Sequence, residues 1–269
     1  MPEELFRVSH SKAESFRRCR KQYWFRYVSG DEWPESQPNA AGVVGTGIHR
    51  AMRVLCETGE PELGAHELSV YLRMPAHDCA GPGTEAHAHA LEIFDRGCDA
   101  HASIQSEDRW AELDTWVHRP RSQVTLQTRI DRVDRLPGPH WQVIDWKTGA
   151  FDWDETTDSQ LDIGHLAVRT VKRLDRDAEV TAVGWNLRTG RQRVRQLNRD
   201  DAARTVEKMV RLAEAMQRET EFAATPGPQC RFCDFRSRCP DARYVDSGEL
   251  DWLDDDEPEA PDLDPATDA

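Results

Sequence analysis

The chain lacks any apolar run long enough to cross a membrane, and it lacks the start of a secreted protein. No apolar stretch approaches the roughly 20 residues that a membrane helix needs, and the mean hydropathy is −0.75. Residues 1–5, MPEEL, contain neither the basic segment nor the apolar segment of a signal peptide. We therefore expect a cytoplasmic protein with no membrane partner.

The chain also has no excess of basic residues, since 49 acidic residues against 35 basic ones give a net charge of −14. However, 11 of the acidic residues fall within residues 244–269, which contain no Lys or Arg, so the rest has 38 acidic and 35 basic residues. Residues 1–243 are thus nearly neutral and can still form a basic groove, so the net charge does not exclude a nucleic-acid partner. We predict one domain over residues 1–243 and a disordered acidic tail over 244–269.

A disulfide framework is not expected, although the chain has 7 cysteines, because no secretion signal accompanies them. Cys230, Cys233 and Cys239 form a C-x2-C-x5-C group, and Cys19 stands alone near the N-terminus. Four thiolates from these two places can converge on one metal centre, either a structural zinc ion or a 4Fe-4S cluster. The other cysteines have no spacing typical of a site and are predicted to be partly buried: Cys56, Cys79 and Cys98.

Apolar periodicity and turn residues predict an α/β protein. Helices are predicted over residues 9–27, from about residue 45 onward, and over 85–102, 160–173 and 200–218. Strands are predicted over residues 124–133, 141–144, 180–187 and 194–196. The Pro- and Gly-rich residues 136–139 form a turn that joins the first two strands into a hairpin.

The polar residues of this hairpin carry the strongest functional signal. Asp131 lies on the first strand and Asp145 on the second, while Lys147 leaves the same face of its strand as Asp145. Carboxylates bind Mg2+ or Mn2+, and an ammonium group beside them can orient a water or stabilise charge on phosphorus. The D-x-K tripeptide is common by chance, but its strand context favours metal-dependent phosphodiester hydrolysis.

These residues resemble the motifs of the RecB-like branch of the PD-(D/E)XK nuclease superfamily. The matching segments are Arg129-Ile130-Asp131-Arg132-Val133-Asp134, Val143-Ile144-Asp145-Trp146-Lys147-Thr148-Gly149, Gly47-Ile48-His49 and Ser159-Gln160-Leu161. The resemblance implies a restriction-endonuclease-like core: a mixed central sheet flanked by helices, with the N- and C-terminal segments joined by a four-cysteine metal site. The chain departs from the family pattern at Thr128, where glycine is usual, and at Gly164, where tyrosine is usual.

The resemblance also assigns roles to individual residues. His49, Asp131, Asp145 and the backbone carbonyl of Trp146 are the implied ligands of Mg2+ or Mn2+, and an imidazole ligand suits Mn2+ better. The implied catalytic residues are Asp131, Asp145, Lys147 and Gln160, of which Gln160 organises the site.

The cysteines resemble the iron–sulfur clasp of helicase–nucleases and of CRISPR-adaptation nucleases. One lone cysteine and a group of three differ from the paired knuckles of a zinc ribbon. A 4Fe-4S cluster is therefore favoured over zinc, with these ligands: Cys19, Cys230, Cys233 and Cys239. Basic and aromatic residues around the cysteines either contact DNA or form the outer face and core contacts of an amphipathic helix.

The leading hypothesis is a metal-dependent deoxyribonuclease, an exonuclease on single-stranded DNA or DNA ends. The chain has no G-x-x-x-x-G-K-S/T phosphate-binding loop, so any unwinding would come from a partner such as a helicase. The setting stays open among DNA repair, phage replication and CRISPR adaptation, and a CRISPR-adaptation or recombination protein is another candidate partner. The alternatives are a non-catalytic iron–sulfur module that binds nucleic acid, a nuclease-fold partner subunit, and a zinc-stabilised enzyme of unrelated chemistry.

Overall fold

A computed structural model of the chain describes residues 5–31, 38–150 and 155–245. By its internal contacts the chain divides into two compact units. Unit 1 contains residues 1–14 and 36–220, and unit 2 contains residues 15–35 and 221–269. From residue 246 onward, the predicted acidic tail lies outside the described residues. In the described ranges, no helix combines the length and the apolar character needed to span a membrane.

The described chain contains six strands and seven α-helices. The strands are β1 (Phe6–Ser9), β2 (Asp108–Arg119), β3 (Val124–Arg135), β4 (His140–Lys147), β5 (Glu179–Asn186) and β6 (Gln192–Arg195). The helices are α1 (His10–Arg18), α2 (Arg20–Tyr27), α3 (Ala40–Thr58), α4 (Pro61–Leu72), α5 (Glu85–Ala102), α6 (Glu155–Val171) and α7 (Arg199–Arg218). Short 3-10 helices cover Pro75–Ala80, Pro120–Ser122, Pro228–Phe232 and Pro240–Val245.

The six strands form one mixed sheet in unit 1, and β3 is its central strand. One edge of β3 pairs with β2 in antiparallel fashion along its whole length, from Asp108↔Arg135 to Arg119↔Val124. The other edge pairs first with β1, parallel, and then with β4, antiparallel. β4 and β5 are parallel, with α6 as the crossover, and β6 pairs antiparallel with β5. This is the predicted α/β class with a mixed central sheet.

A hydrophobic core holds α3 against the sheet. Its buried residues come from α3, α4, α5 and the end of β4, and they include Ile48, Met52, Leu55, Leu68, Leu72, Ile93, Phe94, Ile144 and Trp146. Gly64 of α4 allows the helices to pack closely, because a Cβ there would lie 2.6 Å from Cζ of Phe94. Since Ile48 and Met52 anchor α3 in this core, His49 is held at a fixed place beside the strands.

Several predicted boundaries are confirmed and others are wrong. α5 covers the predicted residues 85–102. α3 begins at Ala40, earlier than predicted, because the Asn39 side chain accepts a 2.8 Å hydrogen bond from the N–H of Gly42 and caps the helix. The single helix predicted over residues 9–27 is interrupted, because Cys19 is extended (φ −162°, ψ 114°) and separates α1 from α2. The elements β1, β2 and α4 were not predicted.

Unit 2 brings together two segments that are far apart in the sequence. Phe25 of α2 stacks on Phe235, with ring centroids 5.2 Å apart and planes 12° apart. Arg26 forms an ion pair with Asp234, with Nη2 and Oδ2 at 2.6 Å. The predicted association of the N- and C-terminal segments is therefore present as stacking and ion-pair contacts.

A fully buried ion pair stabilises β3. Arg132 donates from Nε and Nη2 to the two carboxylate oxygens of Asp134, both at 2.8 Å, and both side chains are 0% exposed. Nη1 of Arg132 lies 2.9 Å from Nδ1 of His101 on α5. Burial, and then the charges of Arg132 and Arg109, lower the pKa of His101 to about 4. The neutral imidazole can therefore accept the hydrogen bond from Arg132.

We expect Asp134→Ala to destabilise the protein by about 3–5 kcal/mol, because it leaves Arg132 buried without its counter-charge. Asp108→Ala is the matched control, because Asp108 also pairs with an arginine, Arg135, but its side chain is 50% exposed. Its loss should cost about 1 kcal/mol or less. Urea unfolding measures both values, and equal losses for the two variants would contradict the role given to the buried pair.

Candidate active site

Three possible metal ligands converge where α3, β2 and β3 meet. His49, Glu112 and Asp131 each offer one ligand atom, and these atoms lie within 4.8 Å of one another. Nδ1 of His49 is 3.4 Å from Oδ1 of Asp131. Two carboxylates and one imidazole form a donor set that suits Mn2+ and also Mg2+. The sequence predicted His49 and Asp131 as ligands, and the structure brings them together, but Glu112 was missed.

Glu112 has an unusual backbone conformation for a residue inside a strand. Its φ of 48° lies in the left-handed region, which is costly for a residue with a side chain. The pairs Ala111↔Arg132 and Leu113↔Ile130 flank it, and the same register places Glu112 opposite Asp131. Strained conformations of this kind persist where the surroundings enforce them, often at functional sites. The strained residue is therefore the one whose carboxylate lies beside that of Asp131.

Three other predicted residues form a closed ring of polar contacts beside this cluster. The Gln160 amide on α6 donates to Oδ1 of Asp145 at 2.6 Å. Nζ of Lys147 donates to Oε1 of Gln160 at 2.8 Å and lies 2.8 Å from Oδ2 of Asp145. Asp145 and Lys147 leave one face of β4, and α6 covers that face with Gln160. The structure thus brings together all three of these predicted catalytic side chains.

A backbone hydrogen bond connects the ring to the metal-ligand cluster. The N–H of Trp146 on β4 donates to Oδ2 of Asp131 on β3 at 2.7 Å, while Oδ1 of Asp131 faces His49. Because Arg132 pairs with Ile144, the same antiparallel register places Asp131 opposite Asp145, one residue further along each strand. Trp146 thus contributes its N–H to the site, and its carbonyl as a metal ligand stays a prediction.

Burial and the charge of Asp131 raise the pKa of two neighbouring carboxyl groups, Asp145 and Glu112. Burial, followed by the charge of Asp131, raises the pKa of Asp145 to about 6, although Lys147 opposes the shift. Burial and then Asp131 also raise the pKa of Glu112. Burial disfavours the charged form of His49, but the hydrogen bond and charge of Asp131, with the other carboxylates, outweigh it and raise its pKa. This excess of negative charge is what a bound divalent cation would neutralise.

The donor set beside this ring fits a divalent cation. His49, Glu112 and Asp131 offer one imidazole nitrogen and two carboxylate oxygens within 4.8 Å of one another, which suits Mn2+ or Mg2+. Oδ2 of Asp145 is buried and pairs with the Lys147 ammonium at 2.8 Å.

The four cysteines predicted as cluster ligands line a single cavity in unit 2. Cys19, Cys230, Cys233 and Cys239 share its wall with apolar residues that include Phe25, Ala224, Pro226, Phe235 and Ala242. The N–H of Thr225 lies 3.5 Å from Sγ of Cys19. Burial raises the pKa of Cys233, and the proximity of Cys19 and Cys230 adds to this effect. In the described chain, no three of these sulfurs come within 4.8 Å of one another.

The remaining cysteines lie outside this cavity. Cys56 is buried and Cys98 is partly buried, as predicted. The prediction is wrong for Cys79, which is exposed because it lies in the short 3-10 helix Pro75–Ala80, where its thiol donates to the carbonyl of Pro38 at 3.3 Å.

Comparison with known proteins agrees with this fold. A profile described as the PD-(D/E)XK nuclease superfamily matches residues 7–240. The crystal structure of a candidate exonuclease from Eubacterium rectale is similar, with a TM-score of 0.52 and 12% identity over 90% of this chain and 88% of that chain. The structure of SSO0001 has 16% identity over 86% and 94% of the two chains, but its TM-score of 0.38 is too low to bear on the fold. A search of curated proteins found no match.

The likeness to the Eubacterium rectale protein concerns the fold alone, because the identity is low. The superfamily profile, in contrast, extends over most of the chain and includes every residue of the metal-ligand cluster and of the adjacent ring. The chain therefore belongs to the PD-(D/E)XK nuclease superfamily.

Proposed function

We propose that the chain is a divalent-metal-dependent DNA nuclease of the RecB-like branch, acting as an exonuclease on single-stranded DNA or DNA ends. The observation that carries this proposal is the convergence of His49, Glu112 and Asp131 beside Asp145 and Lys147. Membership of the superfamily supports nuclease activity. The choice of DNA and the exonuclease mode rest on the resemblance of the motifs, and the name of the Eubacterium rectale protein is in keeping with them.

The residues present divide into metal ligands and groups that act on the phosphate. His49, Glu112 and Asp131 would hold Mg2+ or Mn2+, with Asp145 on the neighbouring strand as a further ligand. When bound, the ion supplies Lewis-acid activation of a water and neutralises charge on the phosphate. The imidazole of His49 makes Mn2+ the better-matched ion.

Lys147 is the group best placed to act on the reacting phosphate. Its ammonium is held at 2.8 Å by both Asp145 and Gln160, and a third of its side chain stays exposed to solvent. An ammonium fixed in this way can orient the attacking water and stabilise the charge that develops on phosphorus. Gln160 is a positioning residue, because its amide joins Asp145 to Lys147 and restrains both.

We expect Asp145→Asn and Lys147→Ala each to lower the rate of DNA cleavage by about 10²-fold or more, because each removes a charge that acts on the transition state. Asp108→Asn and Lys172→Ala change the same residue types outside the site and should cleave like the wild type. The assay uses end-labelled single- and double-stranded DNA with Mn2+ or Mg2+, and melting curves verify that each variant folds.

The same assay separates the proposal from its alternative. A ladder of products shortened from one end would support an exonuclease and give its polarity. A wild-type protein that binds DNA but cuts nothing with either ion would favour the non-catalytic binding module or a nuclease-fold partner subunit.

Glu112→Gln should raise the Mn2+ concentration needed for half-maximal cleavage by on the order of tenfold or more, because one anionic oxygen ligand is lost. Glu107→Gln is the matched control, since Glu107 precedes the same strand and pairs only with the exposed Arg135 among its described contacts. Titration of activity with Mn2+ measures the effect. An unchanged metal requirement in Glu112→Gln would remove this residue from the ligand set.

We further propose that Cys19, Cys230, Cys233 and Cys239 hold a 4Fe-4S cluster. The cavity that they line is largely apolar, and its four thiols share the wall with a few polar residues: Gln22, Thr225, Gln229, Arg236 and Asp241. One lone cysteine and a group of three differ from the paired knuckles of a zinc ribbon. This arrangement resembles that of iron–sulfur nucleases, and the choice of a 4Fe-4S cluster over zinc rests on that resemblance.

Cys19→Ser should lower iron content, absorbance near 400 nm (roughly, for thiolate clusters) and melting temperature together, because one ligand of the clasp is lost. Cys79→Ser is the matched control, since Cys79 is exposed and lies outside the cavity. The proteins are purified without oxygen and analysed for iron and zinc. Wild-type protein that contains zinc without iron, or Cys19→Ser with full iron and unchanged melting, would refute the cluster.

The cellular setting rests on the resemblance alone. We place the nuclease in the cytoplasm, in DNA repair, phage replication or CRISPR adaptation. A helicase, or a CRISPR-adaptation or recombination protein, would be its partner.

A further inference from the structure

One face of the β2–β3 pair continues from the metal-ligand cluster and is open to solvent. Side chains alternate between the faces of a strand, and the cross-strand register groups the residues of this face. We call it the open strand face, and it consists of Asp114, Trp116 and His118 on β2 with Gln127 and Arg129 on β3. Thr125, which pairs with His118, closes the end of this face and is buried. Nε of Arg129 lies 2.9 Å from Asp114 and 3.7 Å from Glu112, so the face is continuous with the cluster.

Trp116 is the most unusual residue of the open strand face. It is 43% exposed, and it is the one aromatic side chain among the large apolar residues that are exposed in the described chain. Its neighbours on the same strand, Thr115 and Val117, are buried on the opposite face. The indole therefore does not serve the core that its strand builds, and its outward face is available to a ligand.

Trp116 forms part of a surface cleft. It lines a cleft of about 340 Å³ with Leu5, Arg7, His118 and Thr125. Arg7 lies on β1, where its register partner is Thr125, and Nδ1 of His118 is 3.1 Å from Oγ1 of Thr125. An exposed ring beside basic side chains is the combination that binds single-stranded nucleic acid, because the ring stacks on a base and the cations contact phosphates.

The spacing connects this cleft with the reaction. Gln127, which pairs with Trp116, is four residues before Asp131 on β3, which corresponds to about 13 Å along an extended strand. That distance is roughly four steps of the 3.4 Å rise of a duplex strand, and an extended single strand would cover it in fewer nucleotides. A base held at Trp116 would therefore lie a few nucleotides from a phosphate at the metal ligands.

We propose that the open strand face binds the single-stranded part of the DNA substrate, with an unpaired base stacked on Trp116; this rests on the proposed nuclease function. In a duplex, both faces of each base are covered by its neighbours, so a stacking site gains little from it. Trp116 thus makes the face selective for unpaired DNA over a duplex.

The test measures binding separately from cleavage. The full-length protein is titrated in EDTA into fluorescein-labelled oligo(dT) of about 12 nucleotides and into a hairpin duplex, and anisotropy is recorded. Trp116→Ala should weaken oligo(dT) binding by on the order of tenfold and leave duplex binding nearly unchanged, while Trp116→Phe should retain most of the affinity. Val194→Ala is the control, because Val194 is 54% exposed on the distant strand β6.

The outcomes distinguish this inference from the nuclease proposal. Trp116→Ala with wild-type affinity for oligo(dT), or with an equal loss for both DNA forms, would overturn the stacking site. If Trp116→Ala loses oligo(dT) affinity but the wild type cuts nothing with Mn2+ or Mg2+, the binding face stands and the nuclease proposal fails. If both hold, cleavage of single strands by Trp116→Ala should show a higher KM and a nearly unchanged kcat.

Discussion

The hydrogen bond from the Trp146 N–H to Oδ2 of Asp131 is the contact on which the geometry of the site depends. It fixes one oxygen of Asp131 against β4, so the other oxygen faces His49 and the strand of Glu112. The same stretch of β4 places Asp145 and Lys147 beside Gln160. One backbone amide therefore couples the metal ligands to the group that can act on phosphate, and it does so without a side chain that would compete for the metal.

The sheet must tolerate strain and repulsion to hold this arrangement. A left-handed residue such as Glu112 costs about 1–3 kcal/mol, and the raised pKa of Asp145 reports unfavourable burial and like charge. Glu112 and Asp145 both lie next to rigid parts of the structure. The buried pair of Arg132 and Asp134 follows Asp131 on β3, and the core around Ile48 holds α3 in place. The charge cost is the part that a divalent cation relieves directly, so metal binding and stability should be linked.

The sequence made much of the fold class and five of the six side chains of the candidate site predictable, for a physical reason. Asp145 and Lys147 follow an apolar strand, so their shared face could be derived from local alternation alone. Glu112 could not, because it lies on β2, whose Arg109-Trp110-Ala111-Glu112-Leu113 stretch has no clear alternation, and its role arises only from pairing with β3. Similarly, nothing local marks the break at Cys19, since no glycine or proline stands there. Trp116 was missed with β2, although an aromatic residue that alternates with the polar residues Asp114 and His118 was a usable signal.

The cysteine cavity poses the question of what holds unit 2 together. Stacking of Phe25 on Phe235 contributes about 0.5–1.5 kcal/mol beyond burial, and a partly exposed ion pair such as Arg26–Asp234 about 1 kcal/mol or less. A link between Cys19 and Cys230 would close a loop of 211 residues, which by analogy with a disulfide stabilises by on the order of 5 kcal/mol. The stabilisation from such a link would exceed that of the stacking and the ion pair together. These two contacts position the segments that carry the thiols, whereas the proposed cluster would join the segments through bonds to the metal.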